Sequence, residues 1–220
     1  DGFVDLTITV FGNGSCADST DTMRLTISDQ AYANAGPDAE ICAGSDYSLA
    51  GSEASDYASL LWSSSGDGSF DDPTTLYPVY SPGSNDQNLG LVTLTLTAYG
   101  IGSCVDSTDQ MNLVIVPQAT VFAGDDAEIC QSDVYTNSDA AASEYSSLLW
   151  TTSGTGDFVN DTSLHCVYTP SMLDILDGSV ELYLTAYANG YCNDVKDTLL
   201  LDITPSAMAN AGPDDEICST

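Results

Sequence analysis

The sequence of 220 residues contains 33 acidic residues but only two basic ones, Arg24 and Lys196, and its formal net charge is −31 at pH 7. Such a charge repels phosphate, which excludes nucleic acid as a partner and disfavours anionic membranes. The sequence has no apolar run near the length of a membrane span and no signal peptide, so we expect no membrane insertion and interpret it as part of a longer secreted chain.

An eight-residue segment, here called the anchor, recurs at a fixed spacing of 88 residues. Its copies are AGPDAEIC at 35–42, AGDDAEIC at 123–130 and AGPDDEIC at 211–218. The constant spacing predicts a tandem array of one small domain. The predicted domains are the C-terminal part of one repeat over 1–30, complete repeats over 31–118 and 119–206, and the N-terminal part of another over 207–220.

The first predicted strand alternates apolar and polar residues, which is the pattern of a half-buried strand. A polar loop containing a Cys follows, and then a second apolar strand. The inward residues of the two strands are Val4, Leu6, Ile8 and Val10 with Met23, Leu25 and Ile27, and they recur as Val92, Leu94, Leu96 and Ala98 with Met111, Leu113 and Ile115, and as Val180, Leu182, Leu184 and Ala186 with Leu199, Leu201 and Ile203. Each repeat is therefore predicted to end in a long antiparallel hairpin.

Shorter strands are predicted between the anchor and this hairpin. In the first complete repeat they are 47–50, 59–65 with Trp62 at its centre, and 76–81. Crossing loops follow at 82–90 and 170–178, the second with one helical turn at 174–178. About seven short strands per repeat and a buried Trp predict an all-β fold of tandem immunoglobulin-like Greek-key β-sandwiches.

The seven cysteines follow the same period. Pairing within each repeat predicts disulfides between Cys42 and Cys104 and between Cys130 and Cys192. The absence of a CxxC or Cys/His cluster favours disulfides in an oxidising compartment over a metal site. Pairing of Cys16 with Cys42 across a repeat junction is the alternative. Cys166 has no counterpart, and we interpret it as a free thiol rather than an intermolecular cross-link.

Recurring carboxylates lie in the anchor and in the loop before the last strand. If these two segments start at the same end of the sandwich, their oxygens could form a calcium site. The candidate ligands are Asp38, Glu40, Asp106 and Asp109 in one repeat and Asp126, Glu128, Asp194 and Asp197 in the next. The alternative is that these carboxylates only cap turns in a polar hairpin end.

Catalysis is not expected from this sequence. His165 is the sole histidine, and its neighbour Cys166 points to the opposite face of the same predicted strand. The abundant carboxylates lie in loops of small sandwiches that give no reason for a cleft. We therefore expect no enzyme and no required cofactor, with calcium as the one candidate ligand.

The anchor, the central SLLWSSSGDG, the Tyr-x-Pro that follows, the strand VTLTLTA and the late Gly-x-Cys-x-x-x-x-Asp together resemble the PKD-like, immunoglobulin-like tandem repeats of very large secreted surface proteins of gliding bacteria. The resemblance covers the whole chain and implies that the repeats are spacers. It also implies glycosylation at Asp-Ser/Thr acceptor patterns, whose hydroxyl residues here are Ser19, Thr22, Ser107 and Thr198. The secretion-sorting module of that family is not present in this sequence.

Two functions are compatible with these features. The first is a structural, non-catalytic stalk or filament at the cell surface or outside the cell, whose partners are neighbouring repeats, other copies of the fibre and covalent glycans. The second is an adhesin that contacts glycans or neighbouring cells through Tyr99, Tyr183 and Tyr187. A short junction such as 117–120, which contains a Pro, favours the extended stalk.

Overall fold

The computed structural model describes residues 2–216 and 218. Asp1, Ile217, Ser219 and Thr220, which belong to the two predicted partial repeats, lie outside the described residues. The chain divides into two compact units, Asp1–Val116 and Pro117–Thr220. The first unit contains a hairpin and one complete repeat, and the second contains the other complete repeat.

The hairpin consists of strand β1 (Gly2–Val10) and strand β2 (Ser19–Ile27), which pair in antiparallel register from Gly2 with Ile27 to Val10 with Ser19. Its alternating sequence produces the predicted strands, but the predicted half-burial is wrong. Leu6 remains 48% exposed, whereas its counterpart Leu94 in the complete repeat is fully buried. Within the described residues, no second sheet covers the apolar face of this hairpin.

The complete repeat of the first unit contains nine strands and one short helix. They are β3 (Tyr32–Asn34), β4 (Ala39–Cys42), β5 (Tyr47–Ser48), β6 (Glu53–Ser55), β7 (Tyr57–Ser64), β8 (Ser69–Phe70), β9 (Val79–Ser81), α1 (Ser84–Leu89), β10 (Leu91–Gly100) and β11 (Ser107–Val116). Four of the strands form a sheet in the order β4-β11-β10-β7, while β3-β6 and β5-β9-β8 form smaller sheets. The predicted crossing loop therefore contains a helix.

The anchor divides the first strand of the repeat between two sheets. Before Gly36, β3 pairs antiparallel with β6, and after Pro37, β4 pairs parallel with β11. Gly36 has a φ of +90°, a conformation that residues with a Cβ rarely adopt. A Cβ at this position would also approach the Gly51 carbonyl oxygen to 3.1 Å. The glycine thus permits the change of sheet.

The core of this repeat lies between the four-stranded sheet and the smaller sheets. The inward residues predicted on β10 and β11 are all buried. Trp62 on β7 is only 2% exposed, and its ring centroid lies 6.1 Å from that of Phe70, which in turn lies 4.9 Å from that of Tyr80. The predicted burial of Trp62 is therefore confirmed.

The second unit repeats this architecture at positions 88 residues later. Its elements are β12 (Thr120–Phe122), β13 (Ala127–Cys130), β14 (Tyr135–Thr136), β15 (Ala141–Ser143), β16 (Tyr145–Thr152), β17 (Asp157–Val159), β18 (Val167–Thr169), α2 (Met172–Asp177), β19 (Ser179–Ala188) and β20 (Val195–Thr204). The four-stranded sheet has the order β13-β20-β19-β16. Trp150 is buried against Phe158, as Trp62 is against Phe70. The all-β sandwich repeat predicted from the sequence is thus the observed architecture.

Candidate functional site

The anchor runs alongside the last strand of its own repeat, and side chains hold the two segments together. Asp109 Oδ2 accepts a hydrogen bond from the Ala35 amide at 2.8 Å, and Asp38 Oδ1 accepts one from the Asn112 amide at 2.7 Å. The Ser107 hydroxyl oxygen accepts a third from the Ala33 amide at 3.2 Å. These bonds stabilise the segment in which the chain leaves one sheet for the other, where ladder bonds between the strands are missing.

The second repeat has the same arrangement. Asp197 Oδ2 accepts from the Ala123 amide, and Asp126 Oδ1 accepts from the Leu200 amide, both at 2.8 Å. The late-loop carboxylates bond within their own loop, since Asp106 accepts from the Gly100 amide and Asp194 from the Ala188 amide, both at 2.9 Å. The candidate aspartates therefore act as caps for backbone amides, which was the alternative interpretation of the sequence.

The predicted calcium ligands are distributed along the strand and do not converge. Asp38 lies beside Asn112 in the middle of β11, Glu40 pairs in register with Val114, and Asp106 precedes the start of this strand. Glu128 likewise pairs with Asp202 in the second repeat. Across the part of the chain that the structure describes, no group of three or more His, Cys, Asp or Glu side chains could hold a metal ion. Calcium binding stays a prediction, and no ligand cluster among the described residues supports it.

The predicted pairing of the cysteines within each repeat is wrong. Cys42 and Cys192 are each in a disulfide-bonded state, whereas their predicted partners Cys104 and Cys130 are free thiols, as is Cys16, the alternative partner of Cys42. The reason lies in the parallel pairing of β4 with β11. Cys42 pairs with Val116 at the C-terminal end of β11, while Cys104 precedes the N-terminal end of the same strand. Ten residues at ~3.3 Å each separate the two ends by about 30 Å, but a disulfide needs Cα atoms within ~7 Å.

Cys166 is a free thiol buried in the core of the second repeat, as the sequence indicated. Burial raises the pKa of this thiol to about 11. A neutral, inaccessible sulfhydryl is a poor nucleophile. Cys166 therefore behaves as a small apolar core residue, in the position that Pro78 occupies in the first repeat.

Each complete repeat contains a buried aspartate, Asp86 or Asp174, that the sequence did not lead us to predict as a structural residue. Asp86 accepts hydrogen bonds from the Tyr80 hydroxyl at 2.6 Å and from the backbone amides of Asp67, Gly68 and Gly83. The carboxylate thus ties the turn after β7 to the start of α1 and to the core tyrosine on β9. Its signal was present in the sequence, because an Asp recurs at 86 and 174 within otherwise dissimilar crossing loops.

Asp174 makes the corresponding contacts in the second repeat. It accepts from the Tyr168 hydroxyl at 2.7 Å, the Ser171 amide at 2.8 Å and the Thr155 amide at 2.9 Å. Burial alone raises the pKa of Asp174, but these hydrogen bonds outweigh burial and lower the pKa below its ordinary value. Burial raises the pKa of Tyr168 to about 12. The pair is a structural clasp between an ionised carboxylate and a neutral phenol.

The predicted glycosylation residues differ in accessibility. Ser19, Thr22 and Thr198 lie on exposed strand positions, and Thr22 shares a hydrogen bond with Thr7 at 2.8 Å. Ser107 is half-buried because its hydroxyl holds the Ala33 amide.

The tyrosines proposed for adhesion also differ from one another. Tyr99 and Tyr187 are both 37% exposed. The ring of Tyr183 lies 3.7 Å from the Lys196 ammonium, and its hydroxyl donates to Glu181 at 2.5 Å. Tyr183 is therefore engaged within its own sheet.

Comparisons with known proteins show the fold and no closer relationship. No family model matches the sequence, and no curated protein matches it significantly. Among solved structures, the titin I-band fragment I67-I69 has a TM-score of 0.50 and 11% identity, covering 81% of this chain and 67% of that one. Immunoglobulin domains 1-4 of Sidekick-1 have a TM-score of 0.47 and 15% identity over 89% of this chain, which spans 57% of the length of that structure.

The two complete repeats are therefore immunoglobulin-like β-sandwich domains in tandem. Helices α1 and α2 have six residues each. Neither they nor any other helix among the described residues is long and apolar enough to cross a membrane.

Proposed function

We propose that this chain is a non-catalytic structural segment of an extracellular stalk or filament. One observation carries the proposal. In each complete repeat, the first residue of the anchor is hydrogen-bonded near the start of the last strand, Ala35 to Asp109 and Ala123 to Asp197, whereas the repeat ends at the other end of that strand. A domain with its termini at opposite ends adds its own length to a chain of repeats.

Charge and cysteine chemistry support an extracellular location for such a stalk. Disulfide-bonded cysteines such as Cys42 and Cys192 persist in oxidising compartments. The net charge of −31 keeps neighbouring fibres apart and in solution. The resemblance to repeats of surface proteins from gliding bacteria fits this location, and glycans on Ser19, Thr22 or Thr198 would extend from exposed strand faces.

A length series tests the stalk. Proteins with two, three and four in-phase repeats are measured by small-angle X-ray scattering and negative-stain microscopy. We expect the maximum dimension to rise by a constant increment of about 40 Å per repeat, since a strand of ten residues spans ~33 Å and loops extend it. A maximum dimension that grows only with the cube root of repeat number would refute the stalk.

An adhesin is the second candidate, favoured by the exposed aromatic side chains Tyr99 and Tyr187. Exposed tyrosines on a rigid sheet are suitable contacts for sugars, because one ring face offers apolar area and the hydroxyl offers a hydrogen bond. A glycan array with the intact chain and a Tyr99→Ser/Tyr187→Ser variant tests it. Binding that disappears in the variant supports adhesion, and no binding to any glycan removes this candidate.

A further inference from the structure

We propose that the four-stranded sheet of the first complete repeat binds neutral polysaccharide on its outer face, with Tyr99, Gln110 and Asn112 as contact residues. The outer face consists of the alternate positions 59–63 of β7, 93–99 of β10 and 108–112 of β11, which point away from the core. The inference rests on the adhesin candidate, for which it names a ligand class and a site. It leaves the stalk unaffected.

The outer face carries no charge although the chain is strongly acidic. The sequence contains 33 acidic residues, yet β7, β10 and β11 together contain one charged residue, Asp109. Asp109 lies on the other side of the sheet, where it accepts a hydrogen bond from the Ala35 amide at 2.8 Å. The negative charge of the chain repels acidic polysaccharides. A neutral sugar chain, in contrast, meets no charged group on this face that it would have to desolvate.

The register of the strands arranges the side chains of the outer face in rows across the sheet. Tyr99 lies at one end of β10, and further along this strand Thr95 faces Gln110 and Thr93 faces Asn112 on β11. Because residues along a strand are ~3.3 Å apart, the distance from Tyr99 to Thr93 is about 20 Å. The face is therefore long enough to contact several sugar units of an extended chain.

Hydrogen bonds between neighbouring strands fix the polar side chains of this face. The Thr93 hydroxyl donates to Asn112 Oδ1 at 3.0 Å, and Gln110 Nε2 donates to the Thr95 hydroxyl oxygen at 3.2 Å. Each bond uses one polar atom of the amide and leaves the other, Asn112 Nδ2 as a donor and Gln110 Oε1 as an acceptor, to bind a sugar hydroxyl. Since the side chains are already ordered, binding costs less conformational entropy.

Tyr99 and Leu61 supply the apolar contact that sugar rings need. Both side chains are 37% exposed, and they lie on neighbouring strands, one row apart. An exposed tyrosine ring covers the apolar face of a sugar while its hydroxyl makes a hydrogen bond. An aromatic residue recurs at the position of Tyr99 in the other two copies of this strand, as Phe11 and Tyr187.

A protein partner, including a second copy of the chain, fits the outer face less well. The buried centre of a stable protein interface is apolar, whereas the rows beyond Leu61 consist mainly of hydroxyl and amide groups. A second copy would also bring another net charge of −31 towards the first, which opposes association.

The equivalent face of the second repeat has different chemistry and provides an internal control. Where the first repeat has its two amides, the second has Thr198 and Leu200. Its face also carries Glu181 and Lys196, and Tyr183 contacts both of them: the Lys196 ammonium lies 3.7 Å from the ring centroid, and the hydroxyl donates to Glu181. We therefore assign the site to the first complete repeat.

Affinity electrophoresis and isothermal titration calorimetry of the intact chain test the site. The probes are the neutral polysaccharides laminarin, xyloglucan and galactomannan, with alginate as the acidic comparison. We expect binding to a neutral polysaccharide and none to alginate. Gln110→Ala/Asn112→Ala and Tyr99→Ser should each weaken this binding by about tenfold or more, the effect of losing about one hydrogen bond.

Matched controls come from the same positions of the second repeat. Thr198→Ala/Leu200→Ala and Tyr187→Ser should leave the affinity unchanged, and circular dichroism verifies that every variant is folded. Binding to alginate alone, or a loss of affinity in the controls with none in the first-repeat variants, would overturn the inference while keeping the adhesin. An absence of binding to all three neutral polysaccharides would also overturn it.

Discussion

At the scale of single residues, the clearest feature is a buried aspartate whose hydrogen bonds replace a salt bridge. Asp174 is 2% exposed, and a carboxylate at such a position is costly unless its oxygens are satisfied. Backbone amides and the Tyr168 hydroxyl supply the donors. With only two basic residues in the sequence, these repeats use amides where other proteins use Lys or Arg.

We expect Asp174→Asn to destabilise the second repeat by about 3 kcal/mol. The carboxylate accepts hydrogen bonds from backbone amides and the Tyr168 hydroxyl, whereas the NH2 group of Asn is itself a donor and would leave some of these donors unpaired. Urea unfolding at pH 7 measures the change. Asp177→Asn is the control, since Asp177 is exposed at the end of α2 and should change the free energy of unfolding little. Equal effects of the two substitutions would contradict the clasp.

The difference in unfolding free energy between the wild-type chain and Asp174→Asn should change with pH in a defined direction. The pKa of Asp174 is lowered in the folded state, so its contribution is present above the ordinary Asp pKa of about 3.9 and is lost as the pH falls below it. The stability difference between the wild-type chain and Asp174→Asn should therefore be constant from pH 5 to 7 and shrink below about pH 4. A difference that grows on acidification would show that the carboxylate is protonated in the fold.

At the scale of strands, the sequence predicted the hairpins well and the anchor poorly. Alternation with a period of two defines the buried face of β10 and β11 from local sequence alone. The pairing partner of the four-residue strand β4 is a tertiary property, and Gly36-Pro37 indicated only an interruption. The wrong disulfide prediction has the same cause. The pairing of β4 with β11 decides which end of β11 Cys42 lies beside, and the sequence did not predict this pairing.

The anchor offers a test of side-chain support for a strand. Asp197→Ala removes the acceptor of the Ala123 amide, and we expect hydrogen exchange at Ala123 to accelerate by about tenfold, the equivalent of one net hydrogen bond of ~1.4 kcal/mol. Exchange at Leu201 in the centre of the sheet serves as the internal control. Unchanged exchange at Ala123 would show that the carboxylate is dispensable.

The strand β7 carries the largest buried side chain of its repeat. Trp62→Ala should reduce the free energy of unfolding by about 3 to 5 kcal/mol through lost burial and the cavity left behind. Leu61→Ala is the matched control on the same strand, since Leu61 is 37% exposed and should cost much less. Calorimetry measures both, while Trp150 fluorescence reports separately on the second repeat. A loss below about 1 kcal/mol for Trp62→Ala would contradict its core role.

At the scale of the whole molecule, the net negative charge opposes association between chains. The net charge is −31 at pH 7 and the isoelectric point is ≈ 4.1, so acidification removes the repulsion between chains. The β1–β2 hairpin meanwhile presents an apolar face that includes Ile8 at 66% exposure, and such faces promote association once repulsion is lost. We expect light scattering to report single chains at pH 7 and low salt, and association near pH 4. Circular dichroism at both pH values separates association of folded chains from unfolding.

A Leu6→Asp/Ile8→Asp variant tests the hairpin directly. Two added carboxylates on its apolar face should reduce the association near pH 4, whereas undiminished association would place the contact elsewhere on the chain.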